Sequence, residues 1–203
     1  MHNILLDKSP SEYKGYLLRT DYRIGIQLIA ILEDSELEDE DKLLDALVLL
    51  YGCGIPDDIQ LALNGLKWFL SCGRVCSPEA QSSFLDYEDI NEELDETVSS
   101  NGRVAFDFAV DAMYIEGAFR ERYGVELSSV RMHWFEFMSL FRCLKDTQLN
   151  DLMYYRTVDI YKLPKNQRIE MRKLQEKYKI RKVTASRKAE LIACFGTDWK
   201  KHI

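Results

Sequence analysis

His133 stands beside Trp134 in the middle of the chain, while the other two histidines, His2 and His202, lie next to its ends. A catalytic histidine needs a nucleophile or an acid within hydrogen-bond reach and a third group to orient it. Ser128, Ser129 and Ser139 are near in sequence, but no glycine-rich nucleophile turn surrounds them. A partly exposed helix histidine is therefore the preferred reading. Asp107 and Asp111 are four residues apart, which puts two carboxylates on one face of a helix. Such a pair could take a cation or do acid–base work. Nothing beside them supplies a substrate pocket, and Asp107 reads better as a first-turn acid that favours the positive end of a helix dipole.

The five cysteines are Cys53, Cys72, Cys76, Cys143 and Cys194. A zinc site wants two close pairs, and only Cys72 and Cys76 are close. Small buried hydrophobes are the better reading, so no metal is expected. An odd, scattered set points to reduced thiols in a cytosol. Gly52-Cys53-Gly54 lacks the lysine and the spacing of a phosphate loop. No catalytic residue, cofactor or enzymatic activity is expected.

Large aromatics at helical spacing are the stronger signal. They run from Phe106-Asp107-Phe108 through Phe119, Trp134, Phe135, Phe137 and Phe141 to Tyr155. Side chains of this size dominate core and interface energetics. Trp68, Phe69, Phe119, Trp134, Phe137 and Phe141 are expected to line the core or a partner-binding groove.

The elements that would carry these residues are mostly helical. Apolar runs at 3–6 and 16–19 suggest a small N-terminal β-hairpin. Thr20-Asp21 caps a helix with Ile24, Leu28, Ile31 and Leu32 on one face. A second helix spans about 38–51, with Leu43, Leu44, Leu47 and Leu50 as its buried stripe and Gly52 and Gly54 as its stop. Pro56-Asp57 starts a third, which closes at Gly73. Residues 74–103 read as a flexible acidic linker, with an acidic run from Asp86 to Glu96 that buries too little to offset its ordering entropy. Beyond it, helices are predicted over 107–122, 128–144 and 147–160, then a basic helix over 166–181 after Pro164 and a short closing helix over 186–195. The expected fold is mainly α, a bundle of seven to eight helices. Its expected units are 1–73 (hairpin plus three helices), the linker, and an aromatic-rich block over 104–203 with basic C-terminal helices.

At 203 residues the chain can bury a real core without disulfides. No run of eighteen apolar residues suggests a membrane span, and the N-terminus lacks the pattern of a signal peptide. The net charge of −7 hides a split. Residues 1–100 carry 21 acids and 7 bases, and residues 101–203 carry 13 and 20. The basic patch of Arg172, Lys173, Lys177, Lys179, Arg181 and Lys182 could meet nucleic acid. The acidity of the rest favours a protein partner or an intramolecular one.

Several short motifs, in this order and spacing, resemble the bacteriophage gp-fifteen family. They are Thr20-Asp21-Tyr22-Arg23, Phe106-Asp107-Phe108, Asp111-Ala112, Tyr123-Gly124, His133-Trp134 and Tyr155-Arg156. The resemblance covers about residues 3–180. It departs at Phe135, where a second tryptophan is usual, in the loosely matched 75–103, and in the last twenty residues. It implies a phage or prophage protein of Gram-positive hosts, encoded between the major tail protein and the tape measure protein. It also implies a non-enzymatic tail-assembly chaperone that holds the tape measure protein in the host cytoplasm. Other tail proteins and a second copy of the chain are further candidate partners. The alternatives are a structural tail component and a DNA-associated protein using the basic C-terminal helix.

Overall fold

The computed structural model of the chain describes residues 8–74 and 103–180. The apolar run 3–6, nearly all of the 74–103 linker, Arg181, Lys182 and the closing helix at 186–195 therefore lie outside the described residues. The chain divides into two compact units, Met1–Leu94 with Arg131–Arg142, and Asp95–Val130 with Cys143–Ile203. Among the described residues the fold is seven α-helices and one two-stranded antiparallel hairpin.

In the first unit the hairpin pairs β1 (Glu12–Tyr13) with β2 (Tyr16–Leu17). Its first strand is thus later than the 3–6 run that the sequence suggests. The reason is the turn between the strands. Lys14 and Gly15 both have positive φ, 49° and 89°, and a two-residue turn of that kind matches the twist of the strands it joins.

Helix α1 (Tyr22–Leu32) begins at Asp21, whose side chain accepts the Arg23 N–H at 3.0 Å. It buries Tyr22, Leu28 and Leu32. Helix α2 (Asp39–Tyr51) has three acids in its first turn, at the favourable end of its dipole. Its inner face is Lys42, Ala46, Leu47, Leu50 and Tyr51. Leu44, placed in the buried stripe on sequence grounds, is 58% exposed, and Val48 one turn on is 49% exposed. Four leucines within eight residues cover too wide an arc for one face, and Lys42 and Ala46 take the inward positions instead. Helix α3 (Ile59–Leu70) is capped by Asp58, which accepts from Gln60 N and Leu61 N. It buries Leu63, Leu66 and Phe69.

In the second unit, α4 (Ala112–Tyr123) starts five residues later than predicted. The Asp107 carboxylate accepts from Ala109 N at 2.8 Å and Val110 N at 2.9 Å. That local turn competes with helix. Asp107 is therefore a turn residue, and the two carboxylates do not share a helix face. Helix α4 ends at Gly124 in the left-handed conformation, φ 65°.

A further helix, α5 (Trp134–Arg142), packs on α1 in the first unit. The sequence places it in the C-terminal block, because nothing local reveals that the chain returns. It is also shorter than the predicted 128–144. His133, just before α5, forms an antiparallel bridge with Asp21: Tyr22 N donates to Met132 O at 2.9 Å, and Trp134 N to Thr20 O at 2.8 Å. Backbone committed to this bridge cannot be helical.

Back in the second unit, α6 (Gln148–Thr157) opens with a capping box between Thr147 and Asn150. It stops before a 3-10 turn at Ile160–Lys162. Helix α7 (Lys165–Tyr178) lies on α6 and that turn and contributes no fully buried side chain.

Candidate functional site

The motif residues meet at two places, one in each unit. In the first unit the site is the junction of α1 and α5. Asp21 caps α1 and pairs with the Arg23 guanidinium at 3.2 Å. Arg23 in turn lies over the Tyr22 ring, 4.7 Å from its centroid. Opposite Asp21, His133 caps α5. Its Nδ1 accepts the Phe135 N–H at 3.0 Å, and its Nε2 lies 3.0 Å from the Pro10 carbonyl oxygen. A ring that accepts at Nδ1 and faces a carbonyl at Nε2 is the neutral tautomer with its proton on Nε2. His133 thus fastens the start of α5 to the segment before the hairpin. Both of its ring nitrogens are occupied by backbone groups.

Beneath this junction lies a column of rings. Tyr22 stacks on Phe137 with centroids 4.8 Å apart. Phe137 stacks in turn between Trp134 at 5.8 Å and Phe141 at 6.0 Å. Phe69 joins from α3, 6.3 Å from Trp134. Trp68 is half-buried between Tyr13 and Phe135. Aromatic pairs at these separations add about 0.5–1.5 kcal/mol each beyond the area they bury. Gly25 is the small residue that lets α1 and α5 close, since a Cβ built on it would overlap the Trp134 ring.

In the second unit the site is a buried ion pair. Arg156 Nη1 donates to Asp111 Oδ2 at 2.6 Å, and Nη2 to Oδ1 at 2.8 Å. Asp111 is 1% exposed and Arg156 7%. The same guanidinium donates from Nη1 to Ala105 O at 3.1 Å and from Nε to Tyr178 O at 2.7 Å. The carboxylate also accepts the Asp107 N–H at 3.0 Å. One side chain on α6 therefore ties the start of α4, the segment at Ala105 and the last turn of α7. A bidentate fork of this kind is specific to arginine.

Of the six aromatics expected to line a core or groove, Phe69, Phe119, Trp134 and Phe137 are no more than 1% exposed, and Phe141 is 8% exposed. Five of the six belong to the first unit; Phe119 belongs to the second, where it packs edge-on to Tyr123 at 5.7 Å. Burial pushes the Tyr123 phenol above its ordinary pKa of 10.0; Cys143 adds to the rise, and Arg122 opposes it. In the basic patch, Arg172, Lys173, Lys177 and Lys179 are exposed. Cys53 and Cys143 are exposed and Cys72 is half-buried. Among the described residues no three His, Cys, Asp or Glu side chains gather as metal ligands, and no helix is long and apolar enough to cross a membrane.

Every motif that carries the resemblance thus has a structural duty, and a family model described as Bacteriophage Gp15 protein matches residues 5–180. The chain belongs to the bacteriophage Gp15 family. No curated protein and no solved structure matches it. The Gp15 motifs Asp111-Ala112 and Tyr155-Arg156 lie 45 residues apart and meet as one ion pair. Their charges are visible in the sequence, but a carboxylate and a guanidinium at that separation have many other candidate partners. The exposed Leu44 and Val48 pair escaped the sequence reading. The acids on both sides of it, Glu40, Asp41 and Asp45, were the available signal.

Proposed function

We propose that this phage protein acts without catalysis, as an assembly chaperone that holds the tape measure protein of its phage in the host cytoplasm while the tail forms. Family membership supports a phage role. The observation that carries the finer reading is the employment of the polar motif residues. Asp21 and His133 cap helices, and Asp111 and Arg156 neutralise each other in the interior. These groups hold helices in place. What the units offer outward is helix surface with apolar side chains standing in it, such as Met113, 87% exposed, on α4, with Val110 three residues before it also exposed. Amphipathic partner helices anchor on such surfaces through residues spaced i, i+3 and i+4.

A chaperone of this kind leaves before the particle is complete, whereas a structural tail component stays. Mass spectrometry of purified virions separates the two. The chaperone reading expects the chain to be abundant in infected cells and absent from virions. Stoichiometric copies in the finished tail would favour the structural component instead.

A further inference from the structure

Two exposed helix faces in this chain are complementary in both pattern and charge. On α2, Leu44 and Val48 stand one turn apart and exposed. Glu40 and Asp41 lie four and three residues before Leu44, and Asp45 lies three before Val48; all three acids are exposed. Residues at those spacings are neighbours on the helix surface. Between residues 24 and 66 the one basic side chain is Lys42, which is buried on the inner face of α2 and paired with Asp39 at 2.9 Å. The apolar pair is therefore framed by acids, with no cation beside it on its own helix.

On α7 the arrangement is inverted. Ile169 is 68% exposed. Lys165 lies four residues before it, and Arg172 and Lys173 three and four after; all three are exposed. Helix α7 has a half-buried inner face and no fully buried residue, and Lys165, Ile169, Arg172 and Lys173 on its outer face are exposed. An isolated exposed leucine needs no explanation. Apolar anchors in acidic and basic frames at matching helical spacing, on one chain, are less readily accidental.

We propose that the α2 face of one copy docks on the α7 face of a second copy. Leu44 and Val48 meet Ile169 at the centre, and Glu40, Asp41 and Asp45 meet Lys165, Arg172 and Lys173 around it. Each copy carries both faces, so two copies can exchange them reciprocally. Unlike faces can pair reciprocally in a two-fold dimer or head to tail in an open chain; the reciprocal dimer is the assembly proposed, and growth beyond two copies with rising concentration would overturn it. The apolar contact is small, which puts the association in the weak, transient class. The charges set partner choice and orientation more than strength, and they make the association salt-dependent.

Sedimentation equilibrium of the full chain over a concentration series at low and high salt tests this. The wild type is expected to dimerise at low salt and dissociate as salt rises. The variants D41K/D45K and R172E/K173E are each expected to weaken the dimer at least about tenfold, the loss of several opposed charge pairs. All four substitutions together restore opposite charges and are expected to recover the dimer to within about threefold. Circular dichroism confirms that each variant folds, and L44S/V48S supplies a loss without any change of charge. A wild type that stays monomeric at low salt overturns the proposal. So does a dimer that L44S/V48S leaves intact, or one that the quadruple variant fails to recover while folded.

Discussion

Removing one partner of the Asp111–Arg156 pair should be the most damaging single polar substitution in the second unit. Asp111→Ala would leave a guanidinium 7% exposed, with its charge uncompensated and only the Ala105 and Tyr178 carbonyls to accept from it. It would also strand the Asp107 N–H, which now donates to the same carboxylate. Breaking a buried pair from one side typically costs about 3–5 kcal/mol, and an unsatisfied buried N–H adds about 1–3 kcal/mol. Arg156→Ala should cost a similar amount, since it leaves a bare carboxylate 1% exposed. The double variant removes both charges, so it should be less damaging than the sum by at least about 2 kcal/mol, as expected of contacting partners. Hydrogen exchange of the α4 and α6 amides reads this loss in its own unit. Additive single costs, or a cost under about 1 kcal/mol for either one, would refute the view that this pair ties the second unit together.

Gly25→Ala should destabilise the first unit by about 1–3 kcal/mol, the range for overpacking, because the new methyl must displace the fully packed Trp134 ring. An unchanged thermal midpoint would show that the α1–α5 approach is looser than described. Burial, with a smaller contribution from Tyr13, pushes the Tyr51 phenol up from 10.0 to about 12. Its proton is thus held more tightly when folded, so its stabilisation is complete below pH 10 and is lost as pH rises from 10 through about 12. Tyr51→Phe should lose the hydrogen bond to Ala62 O, a cost of about 0.5–1.5 kcal/mol at neutral pH, yet show a shallower alkaline decline in urea midpoint. Parallel alkaline declines for the two proteins would contradict the assignment.

The helices of the first unit were legible because their signals are local. Asp21 caps α1 as its position predicts, the glycine stop after α2 holds, and α3 is capped by Asp58, one residue beyond the predicted Pro56-Asp57 start. The largest failure comes from distance along the chain. The bridge between Asp21 and His133 shortens α5 and draws it into the first unit, and no residue near 134 announces that. Leu44 reads as core because leucine in a helix usually is, whereas the inward register is set by Lys42 and Ala46. The aromatic cluster was visible as a cluster, and its stacking order was not, because ring contacts such as Tyr22 with Phe137 join residues far apart in sequence.

Co-expression of this chain with the tape measure protein of the same phage tests the central claim most directly. The account predicts that the tape measure protein, insoluble or degraded alone, becomes soluble and co-purifies with this chain as a complex. A tape measure protein that stays insoluble beside an abundant, folded partner, with no complex on purification, would contradict it.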